Sequence, residues 1–356
     1  MKKILDLSDR NDMFYWQTDR KITPSQIKSI FLNRRTQFDP GITKKAISFA
    51  MKKEVTELNN PIPFGSINNV VRATLSDETK VIIRMHPPGV KNGYFWSENV
   101  ASQKAKDLGV PTYETYFIYD QQKEFNFDFM VMEQLKGKTM QELWPIDKKL
   151  DNKLIEETGK YTALIHKVKT TGFGFFKNDI AKKEGRLVGQ YKSFKDHIFA
   201  ALEDNLKFLT DFKAFDKETA KKVKKIFNSN LDLISCSNPS LVHNDIADWN
   251  ELSDGEHITG IIDWDECFGG DPIMDFAQWS LFFEDARLKH FINGYKQINR
   301  LPDNFKAKIH LFRLRYLISK LALRQKRKII DNSKWLEDRI SRGLDVMKEE
   351  FKFFKL

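Results

Sequence analysis

Cysteine is nearly absent from this chain: Cys236 and Cys267 are the only two in 356 residues. Two thiols are too few for a disulfide framework or a cysteine-based metal centre, although a single bridge between them stays open. No apolar run approaches the ~20 residues of a membrane-crossing helix, so nothing read here spans a bilayer. A secretion signal would need an apolar stretch behind Met1-Lys2-Lys3, and Asp6, Asp9, Arg10 and Asp12 interrupt it. The cytoplasm is therefore the expected compartment. No segment repeats, and none is of low complexity. Hydrophobic content of 41% with 30% charged residues fits a globular protein with a sizeable core.

A second absence is local. From His243 to Ala286 there are twelve Asp or Glu residues and no Lys or Arg. The chain as a whole carries a net charge of +10, which by itself would suit a polyanionic partner. The basic excess lies elsewhere, in Lys182 to Lys195, Lys217 to Lys225 and Arg313 to Lys328, which read as solvated helix faces. Arg324 to Lys328 could touch an acidic partner. No zinc-ligand spacing, recognition-helix motif or interleaving of aromatic and basic residues accompanies the charge, so nucleic acid is not an expected partner.

The patterning divides the chain in three. Residues 1–58 read as a polar, helical N-terminal extension, with a capping-type Thr23-Pro24-Ser25-Gln26 before Ile27, Ile30, Phe31 and Leu32. Residues 59–136 read as a small antiparallel sheet lobe. Its strands are Ile67 to Leu75, Lys80 to His86, Tyr113 to Tyr119 and Phe127 to Glu133, with a helix over Glu98 to Leu108. Residues 137–356 are mostly helical, with apolar stripes at Ala163 to Val168, at Phe194, Ile198, Leu202 and Leu206, at Val223 to Leu231, and from Met274 onward. The fold class is α+β. Gly137 reads as a turn or a hinge between the lobes.

Within the acidic stretch, His243-Asn-Asp245-Ile-Ala-Asp248-Trp-Asn250 is followed, thirteen residues after the Asn, by Asp263 at the end of the apolar run Thr259 to Ile262. Moving a phosphoryl group onto a hydroxyl requires one carboxylate to take the hydroxyl proton and further oxygens to hold Mg²⁺ on the phosphates. Asp245 is the candidate base, and Asn250 and Asp263 are the candidate metal ligands. The order and spacing match the catalytic loop and metal-binding Asp of kinases. Gly65 and Ser66, between strands, can bring backbone N–H groups to a phosphate. They do not form a Walker loop, since no Gly-Lys-Ser/Thr follows. Arg84 stands on the next strand where a kinase places its phosphate-binding cation, and Glu98 is its expected ion-pair partner. Glu133 and Leu135 fall where backbone groups would meet a purine. Asp271 and Pro272 suit a helix start. Asp275, inside an apolar helix, suits a buried carboxylate bonded to the catalytic-loop backbone, and His243 is a further structural support. His166 reads as a packed helix histidine.

Assembled, these residues resemble the aminoglycoside phosphotransferase and choline kinase family over roughly residues 60 to 330. The resemblance rests on Leu241-Val-His243-Asn-Asp245 with Asn250, on Gly260-Ile-Ile-Asp263-Trp264-Asp265-Glu266, and on Gly270-Asp271-Pro272 with Asp275. Ile83-Arg84, Thr171-Gly-Phe-Gly174 and Gly189-Gln-Tyr191 are similar to the hygromycin B phosphotransferase-like branch. The resemblance implies a two-lobed protein-kinase-like fold, ATP or GTP with Mg²⁺ as cofactors, and a small-molecule hydroxyl acceptor such as an aminoglycoside or aminocyclitol. Asp248, Asp265 and Glu266, with Glu284 or Asp285, are then expected to face a cationic acceptor. Two residues depart from the pattern: Trp249 stands where a small residue is usual, and Glu251 where an aliphatic one is. A metabolic kinase for a sugar, amino alcohol or fructosamine-type compound is the alternative, followed by a catalytically silent binding protein. Purine preference, regiochemistry and oligomeric state are not readable from the residues.

Overall fold

β-Branched and aromatic residues alternate with polar ones across the first third of the chain, and this alternation becomes a twisted antiparallel sheet. The computed structural model describes residues 38–62, 68–88, 91–200, 202–328 and 332–356. Thr23 to Leu32, Gly65 and Ser66 lie outside the described residues. The chain is described from α1 (Pro40–Met51), which Asp39 caps by accepting from the backbone N–H groups of Gly41 and Ile42. Then come β1 (Val55–Leu58), β2 (Asn69–Leu75), β3 (Lys80–Met85), α2 (Phe95–Lys106), β4 (Thr115–Tyr119) and β5 (Phe129–Glu133). The five strands are antiparallel in the order β1-β2-β3-β5-β4.

Residues 55–58 correct the expected helical extension. They pair with β2 as an edge strand, and α1 packs Ala46 and Ile47 into the same cluster as Val71, Val81, Ile83, Phe129 and Val131. The polar residues Thr56 and Glu57 masked the strand, since only one face of an edge strand is buried. Side chains alternate along β3, so Val81, Ile83 and Met85 enter this cluster while Arg84 points to the opposite face, toward α2.

After Glu133 the chain forms β6 (Lys138–Thr139) and the long helix α3 (Lys148–Ile165), capped by Asp147. There follow β7 (Phe173–Phe176), α4 (Asn178–Glu184), β8 (Gly189–Tyr191), α5 (Phe194–Phe199), α6 (Leu202–Asp211) and α7 (Lys217–Ser229). The apolar stripe read from Phe194 to Leu206 is thus carried by two helices. The site segment follows as β9 (Ser240–Val242), β10 (Glu251–Ser253), β11 (Ile258–Ile261) and β12 (Phe268–Gly270). Helices α8 (Ile273–Trp279), α9 (Asp285–Lys296), α10 (Phe305–Arg327) and α11 (Lys334–Phe353) complete the lobe. β10 lies between β11 and β6, and β12 lies between β7 and β9. The catalytic segment is therefore stitched into two small sheets, with helices around them. Gly137, at φ 108°, adopts a backbone that favours glycine, and a Cβ there would stand 2.6 Å from the Ser253 carbonyl oxygen.

The basic run in α10 is not simply a solvated face. Arg315 and Lys326 are buried, and Arg313 pairs with the fully buried Glu350 of α11. Arg315 donates to the carbonyls of Ile198 and Ala200, which sit at the C-terminal end of α5 where a cation is favoured. Cys236 and Cys267 do not form a disulfide. Among the described residues no helix is long and apolar enough to cross a membrane.

Helices α3 and α9 meet through two glycines. A Cβ on Gly159 would lie 2.1 Å from the Phe291 carbonyl oxygen, and one on Gly294 would lie 1.9 Å from that of Glu156. Backbone cannot yield as a flexible side chain does, so Gly159→Ala should force the helices apart and cost about 1–3 kcal/mol or more. Thermal unfolding of Gly159→Ala and Gly294→Ala tests this. An unchanged Tm in both would mean the two backbones do not approach so closely.

Candidate active site

The chain leaves β9 through a sharp bend at Asn244, whose φ is 70°. A non-glycine residue holds that conformation only when its surroundings impose it. Here Asp275 does so from α8, all seven residues of which are buried. Its Oδ1 accepts from the Asn244 backbone N–H at 2.7 Å and its Oδ2 from that of His243 at 3.0 Å. His166 Nε2 reaches the same Oδ2 at 2.9 Å, and its Nδ1 meets the Tyr295 hydroxyl at 3.0 Å. With Nε2 donating, Nδ1 accepts the hydroxyl proton. Further bonds hold the bend from the side: Asn244 Nδ2 donates to Glu266, and Tyr316 donates to Asn244 Oδ1. His243 is fully buried, packs against Trp264 with the rings tilted and their centres 4.6 Å apart, and accepts from the Asp245 backbone N–H at its Nδ1. Burial pushes its pKa down, against the pull of Asp275 and Asp245.

Beyond the bend, Asp245 is half-buried and held by three donors. Gln278 Nε2 reaches Oδ1 at 3.1 Å, while Asn250 Nδ2 at 2.7 Å and Trp249 Nε1 at 3.3 Å both reach Oδ2. Each carboxylate oxygen has about two lone-pair directions. Oδ2 is thus filled, and Oδ1 keeps one direction open. Asn250 also donates to the Asp245 carbonyl at 2.9 Å. Its amide nitrogen is turned inward, so its carbonyl oxygen is left for another ligand.

Strand β11 ends one residue before Ile262, and Asp263 follows with a second left-handed backbone, φ 65°. Its Oδ1 lies 3.3 Å from Arg84 Nη1. Arg84 forms a buried pair with the fully buried Glu98 and lies 5.3 Å from the ring centres of both Tyr94 and Phe95. Tyr113 donates to the other oxygen of Glu98. Although 43% of the Asp263 side chain is open, protein encloses the carboxyl and pushes its pKa up to about 6; Arg84 opposes this, while Glu98 and Asp245 add to it. Burial, then Asp263 beside it, raises Asp265 as well.

Asp248 is turned away from open solvent. Arg287, the first cation after the acidic stretch, grips it at 3.0 and 3.1 Å and also holds Asp151 of α3 at 2.9 Å. Trp144 Nε1 donates to Asp248 as well. Glu266 is largely buried and is engaged by Asn244, while Glu284 and Asp285 are exposed at the start of α9. Glu133 accepts the Glu114 backbone N–H and lies 3.9 Å from Lys106, so its carboxylate is used within the sheet lobe. Leu135 packs over Gly260, where a Cβ would come within 2.5 Å of it. Asp271 accepts the Ile273 backbone N–H at the start of α8 and pairs with Lys308 at 2.6 Å.

Gln278, Arg287, Tyr316 and His166 were not singled out as site residues by their sequence context. Gln278 had a signal, since it lies three residues after Asp275 on one helix and so shares its face. Arg287 had one too, as the cation ending a long acidic run. Tyr316 and His166 come from distant helices and had none.

Glu251, beside the loop, is 2% exposed and shares one hydrogen bond with the Thr158 hydroxyl at 2.7 Å. Burial, then the nearby Asp248, pushes its pKa up to about 8. In the unfolded chain the group ionises near its ordinary 4.5, whereas the folded protein keeps it protonated until about 8. Stability is therefore lost progressively as pH rises from the lower value to the higher, and the loss levels off above it. Glu251→Gln stays neutral throughout. Its Tm should gain on the wild type steadily between pH 5 and 8. A difference independent of pH would mean that Glu251 is already ionised in the fold.

Among curated proteins none is detectably similar in sequence. A thermostable aminoglycoside phosphotransferase APH(4)-Ia, solved as a ternary complex with AMP-PNP and hygromycin B, has a similar structure at a TM-score of 0.62. It is 18% identical, and the match covers 86% of this chain and 97% of that one. A fructosamine-3-kinase candidate from Thermobifida fusca matches at a TM-score of 0.59 and 15% identity, covering 86% and 98%. Macrolide 2'-phosphotransferase MphH from Brachybacterium faecium matches at 0.56 and 12%, covering 84% and 96%. At these identities the likeness shows the kinase-like α+β fold, with its antiparallel sheet lobe and helical lobe. Residues 60–307 match the phosphotransferase enzyme family, and the chain belongs to that family.

Proposed function

We propose that this chain transfers the γ-phosphoryl group of ATP or GTP to a hydroxyl of a small molecule, with Asp245 as the general base. The observation that carries the reading is the state of the Asp245 carboxylate. Three donors fix it and leave a single lone-pair direction, on Oδ1, to receive a hydroxyl proton. Asn250 and Asp263 fit a divalent cation. The Asn250 oxygen is free because its nitrogen is spent on Asp245, and the charge of Asp263, disfavoured first by burial and then by Glu98 and Asp245 against the pull of Arg84, is one that a cation would relieve. Mg²⁺ in such a site is shared between two protein oxygens, waters and phosphates. When bound, Mg²⁺ neutralises phosphate charge. In this reading Arg84, held by Glu98, supplies a fixed cation for the phosphates, and the backbone around Glu133 and Leu135 receives the purine.

The acceptor class is the finer part of the proposal. An aminoglycoside or aminocyclitol, hygromycin-like, is the first reading, supported by the acidic stretch that includes Asp265, Glu266 and the exposed Glu284 and Asp285. A sugar, amino alcohol or fructosamine-type acceptor is the second. The Arg287 clamp favours the second, because it neutralises Asp248 and so subtracts one carboxylate from any polycation site.

Nucleotide turnover against aminoglycosides, aminocyclitols, macrolides, choline and sugars, with ATP and GTP in parallel, tests the reading. Asp245→Ala should lower kcat by about 10²- to 10⁴-fold and leave nucleotide affinity nearly intact. Asp263→Asn and Asn250→Ala should instead shift the Mg²⁺ dependence of nucleotide binding. Retention of more than half of turnover in Asp245→Ala, with chemistry rate-limiting, would remove it as the base.

A further inference from the structure

We infer that Trp249 is a specificity-determining residue: its indole N–H holds the idle oxygen of the base, and its ring, backed by Phe282 and Phe283, receives an acceptor through an apolar ring face. The inference rests on the kinase reading and deepens it. Trp249 stands inside the catalytic loop, one residue before Asn250, and points its Nε1 at Asp245 Oδ2 at 3.3 Å. A flat ring anchored by its edge to the base must extend outward from it. A hydroxyl that reaches the open side of Oδ1 approaches the same carboxylate whose other oxygen the indole holds, and the half-buried ring is then a near surface for its carbon skeleton.

The ring does not stand alone. Phe282 meets it edge-on at 5.0 Å, and Phe283 lies nearly parallel at 6.4 Å. All three rings are only half-buried. Phe283 is itself fixed, packed at 4.4 Å on the buried Trp279 and capped by the Arg287 guanidinium at 4.5 Å. A rigid aromatic surface beside a reacting carboxylate recognises the C–H face of a sugar, cyclitol or macrocycle ring, as apolar pockets with a few fixed polar groups do. Two nearby carboxylates are engaged within the protein, Asp248 by Arg287 and Glu266 by Asn244, while Glu284 and Asp285 face solvent beyond Phe283. Apolar ring recognition, rather than charge, therefore sets acceptor choice next to the base.

Binding tests this without turnover. Protein saturated with Mg·ADP is titrated with ring-bearing probes (hygromycin B, erythromycin, methyl β-glucoside) and with ringless cations (spermine, choline). At least one ring-bearing probe should bind. Trp249→Ala should weaken it by about tenfold or more, and Trp249→Phe, which keeps a ring but loses the N–H, should stay within about threefold. Mg·ADP affinity should be the same in all three proteins, which also shows that the variants are folded. Phe282→Ala should weaken the same probe through the backing ring. Equal affinity in wild type and Trp249→Ala, binding of ringless cations alone, or binding of no probe would overturn the inference and leave the kinase reading intact. Failure of the wild type to bind Mg·ADP would overturn that reading, and this inference with it.

Discussion

Two backbone N–H groups and a buried imidazole converge on the Asp275 carboxylate, and the rest of the site depends on that meeting. The left-handed backbone at Asn244 has an energetic cost of order 1–3 kcal/mol when nothing imposes it. Two charge-assisted hydrogen bonds from His243 and Asn244 offset it, and they exist only because α8 delivers a carboxylate at that depth. Once the bend is set, Asp245 emerges within reach of Gln278 on the same helix, and one turn of α8 fixes both the loop backbone and the Asp245 carboxylate. His166 and Tyr295 tie this arrangement to α3 and α9, whose close crossing at Gly159 and Gly294 leaves little room for drift.

A second polar chain runs between the sheet and the catalytic segment. Tyr113, Glu98, Arg84 and Asp263 form a continuous set of contacts from the sheet lobe to the end of β11. Here burial and pairing compete. Arg84 and Glu98 are withdrawn from water together, which is tolerable because each is the other's counter-ion and both have further partners. Asp263 is less well served: burial disfavours its charge most, Arg84 opposes this, and Glu98 and Asp245 stand near it as like charges. Charge is thus poorly compensated at Asp263, the residue proposed above to meet a divalent cation.

Much of this was legible from residue order, for reasons that differ by element. Asp245, Asn250 and Asp263 lie close in the chain, so spacing alone exposes their relation. Arg84 and Glu98 were legible because strand alternation and an adjacent helix limit where their heads can go. Asp275 was legible as a carboxylate with no business in an apolar helix. What stayed hidden needed three-dimensional closure. β1 looked polar because an edge strand buries one face, and the burial of Arg315 depends on the carbonyl end of α5, far away in sequence. The role of Arg287 emerged only when α9 folded back over α3 and carried it to Asp248. Its guanidinium changes the meaning of the acidic stretch, since carboxylates that look free in the sequence are partly paired within the fold.

The central claim is that Asp275 acts on catalysis through Asp245, by holding the loop that aims it. A double-mutant cycle on kcat tests it directly. Asp275→Asn places an amide donor against the inward-pointing N–H groups of His243 and Asn244, so it should cut kcat strongly in the wild-type background while leaving nucleotide affinity close to normal. In the Asp245→Ala background, where there is no base left to aim, the same change should cost almost nothing further. Equal fold losses in both backgrounds would contradict the account, because Asp275 would then act independently of the base.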